Sequence, residues 1–190
     1  MRNRRRSLAR REDEASLLAA AGKRDREALA RIYLAYKDSL FTVAVYVLGD
    51  RAAAEDVVHD VFVSLARRAR RLRSRGRLKE YLLASCVNRA RDLLRRRQRE
   101  RRAMRAADPP TTTVTPDRQA QEADETARVV EALASLSPEQ REVVALRIHG
   151  QQKFREIAAL LEIPISTAKS RYRYALDALR AVFAEKRAQS

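Results

Sequence analysis

A segment rich in proline and threonine, AADPPTTTVTPDRQAQEADE at residues 106–125, constrains the fold of this chain more than any other feature. It contains three of the five prolines and shows no apolar periodicity. Consecutive prolines end helices and stiffen the backbone, so no regular element is expected to continue through this segment. The chain is therefore predicted to form two units joined by a flexible linker, which permits the units to pack together or to separate.

The segments on both sides of the linker have the 3.6-residue apolar period of packed amphipathic helices. The clearest helix runs over residues 26–48, where Asp25 is a suitable N-cap and Gly49 a suitable stop. Two more helices are predicted before the linker, one starting after Asp50 and one near Leu78. Because the chain has only four glycines and lacks alternating β-branched runs, the sequence predicts an all-α protein.

Four shorter helices are predicted after the linker. The first covers about residues 126–136, and the second starts with a capping box formed by Ser137 and Gln140 and ends at Gly150. The last two lie in FREIAALLEIPISTAKSRYRYALDALR and are joined at EIPIS, where Ser166 is a suitable N-cap.

The last helix has an apolar face and, opposite or beside it, short polar and basic side chains. These are Ser166, Thr167, Lys169, Ser170, Arg171, Arg173 and Tyr174. Hydroxyl and guanidinium groups on an anchored helix are suited to base edges in the major groove, and the cations are suited to phosphates. An ordinary helical hairpin with a solvated face has the same pattern, so this stretch alone leaves both interpretations open.

Positive charge is concentrated at residues 67–105, which contain sixteen arginines and one lysine against three acidic residues. Like charges repel along a helix, so this run and the net charge of +16 indicate a polyanionic partner such as a nucleic acid. One stripe of the third helix combines an aromatic ring with hydrogen-bonding groups: Tyr81, Ser85, Asn88, Asp92 and Arg95. Such a mixture is suited to unpaired bases, although a partly buried aromatic is the alternative interpretation of Tyr81.

The second helix has an acidic outer side in this otherwise basic chain, at Glu55, Asp56 and Asp60. Acidic residues near a helix start can simply favour the helix dipole, and a docking face for a partner protein is the sharper interpretation. With one cysteine and two distant histidines, neither a disulfide nor a metal site is predicted. No nucleophile–base set, phosphate-binding glycine loop or cofactor motif is found, so an enzyme is not expected.

The apolar runs and the N-terminal segment of the sequence indicate where the protein is located. No apolar run reaches the ~18 residues of a membrane span, so membrane insertion is not expected. The basic start MRNRRRSLARR is not followed by a secretory apolar core, which favours a cytoplasmic protein. Residues 1–14 are predicted to be a basic arm that adds non-specific affinity for polyanions.

Four motifs occur in a fixed order along the chain: AAAEDVVHDVFVSLARR, LKEYLLASCVNRARDLLRRR, LSPEQREVVALRIHG and FREIAALLEIPISTAKSRYRYALDALR. In this order they resemble the sigma factors of bacterial RNA polymerase, and most closely the small extracytoplasmic-function type of the sigma-70 class. The resemblance implies a region 2-like domain over residues 15–105 and a region 4-like helix–turn–helix domain over residues 126–190, joined by the linker at 106–125.

The resemblance also implies a role for each surface. The helix with Glu55, Asp56, His59 and Asp60 would dock on the clamp of the largest subunit of core RNA polymerase. The −10 promoter element would be recognised, melted and held as a single strand by a larger set: Arg73, Arg75, Arg77, Lys79, Tyr81, Ser85, Asn88, Arg89, Arg91 and Arg95. The last helix would read the −35 element as a duplex.

The implied partners are core RNA polymerase, through its clamp and flap, and promoter DNA, with an anti-sigma factor as a further candidate. The implied location is the bacterial cytoplasm in association with the nucleoid, without a catalytic centre. Several features depart from the family pattern. Tyr81 stands where a tryptophan is common, Glu162 stands where a glycine is usual, QKFREIA stands where LSYREIA is familiar and lacks its serine cap, and the region before the third helix is unusually rich in arginine. A left-handed backbone at Glu162 would be strained.

Two other functions compete with this one. A helix–turn–helix regulator that acts without polymerase would need a receiver or ligand-sensing domain, and residues 1–105 resemble neither. A non-specific nucleic-acid-binding protein would have uniform charge, without the acidic side at Glu55, Asp56 and Asp60.

Overall fold

The computed structural model of the protein describes residues 14–72, 78–107, 133 and 135–188. Within these ranges the regular structure is helical and no strand occurs, so the predicted all-α class is confirmed. Residues 14–22 are helical and are named α1. The other helices are α2 (Arg26–Leu48), α3 (Arg51–Arg68), α4 (Leu78–Ala107), α5 (Pro138–Ile148), α6 (Phe154–Leu161) and α7 (Ile165–Ala188). A 3-10 turn, Ala69–Arg71, follows α3.

Both ends of α2 are capped by the residues predicted, and α3 begins after Asp50, as predicted. The carboxylate of Asp25 accepts from the backbone N–H groups of Glu27 and Ala28, and Gly49 ends α2 with a left-handed φ of 67°. Asp50 caps α3 by accepting from the Ala53 N–H at 3.0 Å. These bonds satisfy N–H groups that have no partner within the helix.

The helix α1 was not predicted, because residues 14–22 are rich in alanine and show little apolar periodicity. Leu18 and Ala21 are buried in the core of the first unit. At Gly22 a Cβ atom would lie only 3.0 Å from the Cα of Arg70, so glycine lets α1 approach the 3-10 turn closely. The structure therefore adds a fourth helix before the linker.

Several predicted boundaries lie wholly or partly outside the described residues. Of the predicted basic arm only Glu14 is described, and it accepts a hydrogen bond from the Tyr36 hydroxyl. Helix α4 extends to Ala107, two residues into the predicted linker, and the rest of that linker lies outside the described residues. The helix predicted at 126–136 also lies outside them, except for residues 133, 135 and 136.

The second unit, α5 to α7, confirms one predicted cap and contradicts another. The capping box at Ser137 and Gln140 is present, and α5 ends at Ile148, shortly before the predicted stop. Ser166 is not the N-cap of α7, because that helix already begins at Ile165. The carbonyl of Pro164 accepts from the Ala168 N–H at 3.1 Å, so Ser166 lies inside the first turn.

The two units pack together, an arrangement that the linker permits and the sequence did not decide. Helix α2 contacts α3, α4 and α5. Buried side chains of the first unit, such as Ile32 and Leu82, belong to the same apolar cluster as Leu146 of α5 and Ile157 of α6. A smaller cluster within the second unit contains Leu133, Leu136, Val144 and Ala175. The position of the second unit is thus fixed against α2 and α4 by apolar burial.

Candidate nucleic-acid interface

The polar and basic face of α7 is accessible along the N-terminal half of the helix. Its opposite side is anchored by the buried residues Ala168 and Ala175, and the ring of Tyr172 packs edge-on against Phe154 with centroids 5.5 Å apart. Four of the predicted residues are exposed: Ser166, Lys169, Arg173 and Tyr174. Three are half-buried: Thr167, Ser170 and Arg171. The structure therefore brings the seven predicted residues together on one surface, called here the α7 surface.

Two contacts within the α7 surface limit what its side chains can do. The Ser170 hydroxyl donates to the Thr167 carbonyl at 3.0 Å, so its proton is engaged by its own helix. The guanidinium of Arg173 lies 4.9 Å from the ring centroid of Tyr174, which is a cation–π contact. This contact orients the Arg173 fork while leaving its N–H donors available.

The corner between α6 and α7 has a left-handed backbone at Glu162, the residue that stands where the family pattern has glycine. This residue has φ 55° and ψ 44°, a left-handed conformation that usually requires glycine. Its N–H and that of Ile163 both donate to the Ala158 carbonyl, which closes the end of α6. The start of α6 has no side-chain cap, but Glu156 accepts from the Lys153 N–H at 2.7 Å. The corner is therefore built despite strain at one residue.

The second predicted surface lies on α4 and is called the α4 surface. Its described members are Lys79, Tyr81, Ser85, Asn88, Arg89, Arg91 and Arg95, whereas Arg73, Arg75 and Arg77 lie outside the described residues. Asn88 and Arg95 are exposed, and Arg95 lies 3.6 Å from Asp92 on the same helix. Tyr81 is half-buried against the core, which agrees with its alternative interpretation as a partly buried aromatic.

Arg91 of the α4 surface is bound by the second unit. Its Nε and Nη2 atoms donate to the two carboxylate oxygens of Glu142, each at 2.5 Å, and the Glu142 side chain is only 4% exposed. Hydrogen bonds with Glu142 raise the pKa of Arg91, against the opposing effect of burial. In this arrangement the guanidinium predicted to contact the −10 element is occupied.

Glu142 is the residue that sequence reasoning missed. It lies on the buried side of α5, one turn before Leu146, among the buried residues Val143 and Val144. A charged residue is rarely buried without a partner, so its place in an apolar stripe was the one signal available.

The acidic face of α3 consists of Glu55, Asp56, His59 and Asp60, and each of these residues is exposed. Glu55 and His59 border an open groove of about 800 Å³ between α2 and α3. Aromatic and aliphatic side chains line it, among them Tyr33, Phe41, Val58 and Phe62. Charge beside exposed apolar surface is typical of a protein-docking site.

One ion pair joins the acidic face of α3 to the α4 surface. Nη1 of Arg89 donates to Oδ2 of Asp60 at 3.0 Å, and both side chains remain partly exposed. A second pair joins the same helices, since Arg97 donates at 2.9 Å to Asp50, the N-cap of α3. The bond from the Ala53 N–H and the contact with Arg97 lower the pKa of Asp50.

No group of three His, Cys, Asp or Glu side chains in the described ranges lies close enough to bind a metal ion. Within the described part of the chain, no helix combines the length and the apolar character that a bilayer crossing requires. Burial raises the pKa of the Cys86 thiol to about 12, so this cysteine remains protonated at neutral pH.

Comparison with family models identifies both halves of the chain. Residues 32–100 match the model "Sigma-70 region 2", and residues 132–181 match "Sigma-70, region 4". A protein named ECF RNA polymerase sigma factor SigK, from Mycobacterium bovis, is 31% identical over 170 residues, covering 87% of this chain and 90% of its own length. Its namesake from Mycolicibacterium vanbaalenii is 32% identical over 171 residues, covering 87% of this chain and 86% of its own length.

Two solved structures have a similar fold. CnrH, determined in complex with the cytosolic domain of CnrY, has a TM-score of 0.68 at 24% identity and covers 91% of this chain and 98% of its own. The sigma factor RpoE, determined with the anti-sigma factor NepR from Bartonella quintana, has a TM-score of 0.67 at 22% identity. That match covers 82% of this chain and 96% of the RpoE chain.

Proposed function

This chain belongs to the sigma-70 family as a sigma factor of the extracytoplasmic-function type, and from that premise we infer that it binds core RNA polymerase and directs transcription initiation at promoters. The observation that carries this function is the presence of regions 2 and 4, in that order, in a chain that aligns over most of its length with sigma factors. We assign region 2 to residues 15–105, the linker to 106–125 and region 4 to 126–190.

The α7 surface is proposed to read the −35 element in the major groove. It projects a cation–π-oriented arginine, a lysine and small hydroxyl side chains from an anchored helix. Arginine can bind a guanine edge through two donors, which makes Arg173 the candidate for sequence recognition. Exposed Lys169 is suited to a phosphate contact that positions the helix.

The α4 surface, together with Arg73, Arg75 and Arg77, is proposed to recognise and melt the −10 element. Its exposed polar groups and the half-buried Tyr81 ring lie beside a high positive charge, which favours a single strand. The acidic face of α3 is proposed to dock on the polymerase clamp, since its four side chains are exposed and two of them, Glu55 and His59, border an apolar groove. The polymerase flap is proposed to be a further contact of the chain.

We also propose a location and a regulatory partner. The protein acts in the cytoplasm, where RNA polymerase is found, and is associated with the nucleoid while it is bound to promoters. It initiates transcription without a catalytic centre of its own. Its fold is similar to that of RpoE, which was solved with the anti-sigma factor NepR, and to that of CnrH, which was solved with the cytosolic domain of CnrY. The RpoE complex supports an anti-sigma factor as a partner of this chain as well.

A reconstitution with core polymerase tests the function. The purified chain is mixed with sigma-free core polymerase and a promoter library, and the regions upstream of the transcript starts are sequenced. We expect binding to core polymerase and one enriched motif with two separated blocks. Sequence-specific DNA binding without core binding would instead identify a helix–turn–helix regulator that acts independently of polymerase.

A further inference from the structure

The contact between α4 and α5 uses a residue that the proposed function assigns to promoter DNA. Arg91 and Glu142 form a bidentate pair in which the Arg91 side chain is 25% exposed and the Glu142 side chain 4% exposed. Removing either partner would leave a charge in a largely dry site, which is strongly unfavourable. The pair therefore favours the packed arrangement of the two units over a separated one.

The second unit surrounds Arg91 with further negative charge. Besides Glu142, the carboxylates of Glu139 and Glu162 favour the charged form of Arg91. Glu162 provides this attraction from a strained left-handed position where glycine would fit without cost. The carboxylate of Glu142 binds the arginine fork of Arg91 as a phosphate group would, because carboxylate and phosphate both accept it in two bonds.

A second set of contacts joins α2 to the end of α5. The Ser39 hydroxyl donates to the His149 carbonyl at 3.1 Å, and the Tyr46 ring lies 4.2 Å from the His149 ring, centroid to centroid. Separation of the units would break these contacts and expose apolar residues such as Leu146. Opening is therefore expected to need a partner that compensates for them.

We propose that the Arg91–Glu142 pair is an autoinhibitory contact, in which the second unit covers part of the α4 surface until nucleic-acid phosphate replaces Glu142. This inference rests on the proposed function, because it takes the α4 surface to be a DNA-binding surface. In the free chain the second unit competes with DNA for Arg91. Weakening the pair on the Glu142 side must therefore raise the affinity of the free chain for single-stranded DNA.

The test compares two neutralising substitutions in the second unit. Glu142→Gln removes the charge that binds Arg91, whereas Asp177→Asn removes an equal charge from an exposed site, where Asp177 pairs with Arg180 on the same helix. The probe is a fluorescent 20-nucleotide single-stranded DNA of mixed sequence, titrated with each full-length chain without polymerase. We expect Glu142→Gln to bind about fivefold tighter than Asp177→Asn, which corresponds to the lower end of typical coupling between sites. Its radius of gyration in small-angle scattering should also be larger.

Glu162→Gly is a second variant that tests the same contact if Glu142→Gln does not fold. Glycine removes a charge near Arg91 and relieves the left-handed backbone, so DNA affinity should rise without a lower melting temperature. If Glu142→Gln fails to fold, the comparison of Glu162→Gly with Asp177→Asn decides. Equal DNA affinity of the folded variants and Asp177→Asn would overturn the autoinhibitory contact. Absence of promoter-specific transcripts from wild-type chain with core polymerase would instead overturn the proposed function.

Discussion

The two surfaces proposed to bind DNA both carry arginines, but those arginines differ in whether other side chains of the protein already bind them. The α7 surface presents Arg173 to solvent, held by contact with its neighbour Tyr174. On the α4 surface, by contrast, Arg89 is paired with Asp60 of α3, and Arg91 is paired with Glu142 of α5. The α7 surface is complete once its own helix–turn–helix has folded, whereas the α4 surface depends on where the second unit lies. Whether an arginine of this protein can bind DNA therefore depends on its contacts in the folded chain more than on its residue type.

The largest effect is expected from removing an arginine that is bound to a buried carboxylate, compared with removing one from an exposed ion pair. Arg91→Ala leaves the buried Glu142 carboxylate without its partner, and we expect a loss of about 3 kcal/mol in the free energy of unfolding. Arg96→Ala is the matched control, since Arg96 forms an exposed i,i+4 pair with Glu100 and should cost less than about 1 kcal/mol. Urea unfolding followed by circular dichroism measures both. Similar losses would show that Arg91 is no more engaged than a surface arginine.

The α7 surface should respond in DNA recognition and not in stability. Arg173→Ala is expected to reduce discrimination between the preferred −35 duplex and a scrambled duplex by about 2 kcal/mol, because a bidentate base contact is lost. Competition binding with both duplexes measures this difference. Lys169→Ala should weaken binding to both duplexes alike, as expected for a phosphate contact. If Arg173→Ala changes only the salt dependence of binding, its assignment to a base is wrong.

A substitution of Glu162, in the corner before α7, is expected to change the free energy of unfolding by a smaller amount. Glu162→Gly should raise the free energy of unfolding by about 1 kcal/mol, because glycine adopts the left-handed backbone without a steric cost. Glu162→Ala removes the same charge but keeps the strain, so it should not stabilise the protein. Thermal unfolding of the two variants measures the difference. Equal melting temperatures would show that the corner does not strain its residue.

The smallest expected effect concerns pH and the contact between α2 and α5. Burial lowers the pKa of His149 from its ordinary value of 6.5, and its buried Nε2 atom has no hydrogen-bond partner among the residues that the structure describes. The unfolded chain then takes up a proton at a higher pH than the folded chain, so this contribution to stability is complete above pH 6.5 and lost as pH falls below it. Urea unfolding at pH 7.5 and pH 5.5 should show a loss at the lower pH that is smaller in His149→Gln.

An undiminished loss in His149→Gln would assign the pH dependence to other groups.

Local features of this fold could be predicted from the sequence, and distant ones could not. The caps at Asp25, Gly49 and Ser137 follow from a few neighbouring residues, and so does the grouping of side chains on the α7 surface. Ser166 was assigned as a cap because it is a favourable residue type, but α7 begins earlier, at Ile165. Capping preference alone did not decide between adjacent positions.

The Arg91–Glu142 pair joins residues 51 positions apart, on opposite sides of the linker. No local pattern specifies such a contact, and the linker is compatible with packed and separated units. The sequence therefore could not show that the second unit binds a residue of the α4 surface, whereas the structure does. The unusual residue Glu162 was visible in the sequence as a strained corner, but its proximity to Arg91 was not.

The ion pair between Arg89 and Asp60 has a consequence for the order of assembly. It connects the face proposed for polymerase to the helix proposed for the −10 strand, so a partner that attracts one side chain releases the other. Such exchange is reciprocal: polymerase would raise the affinity for the strand by the same factor by which the strand raises the affinity for polymerase. Because the pair is partly exposed, its share of this cooperativity amounts to only a few fold.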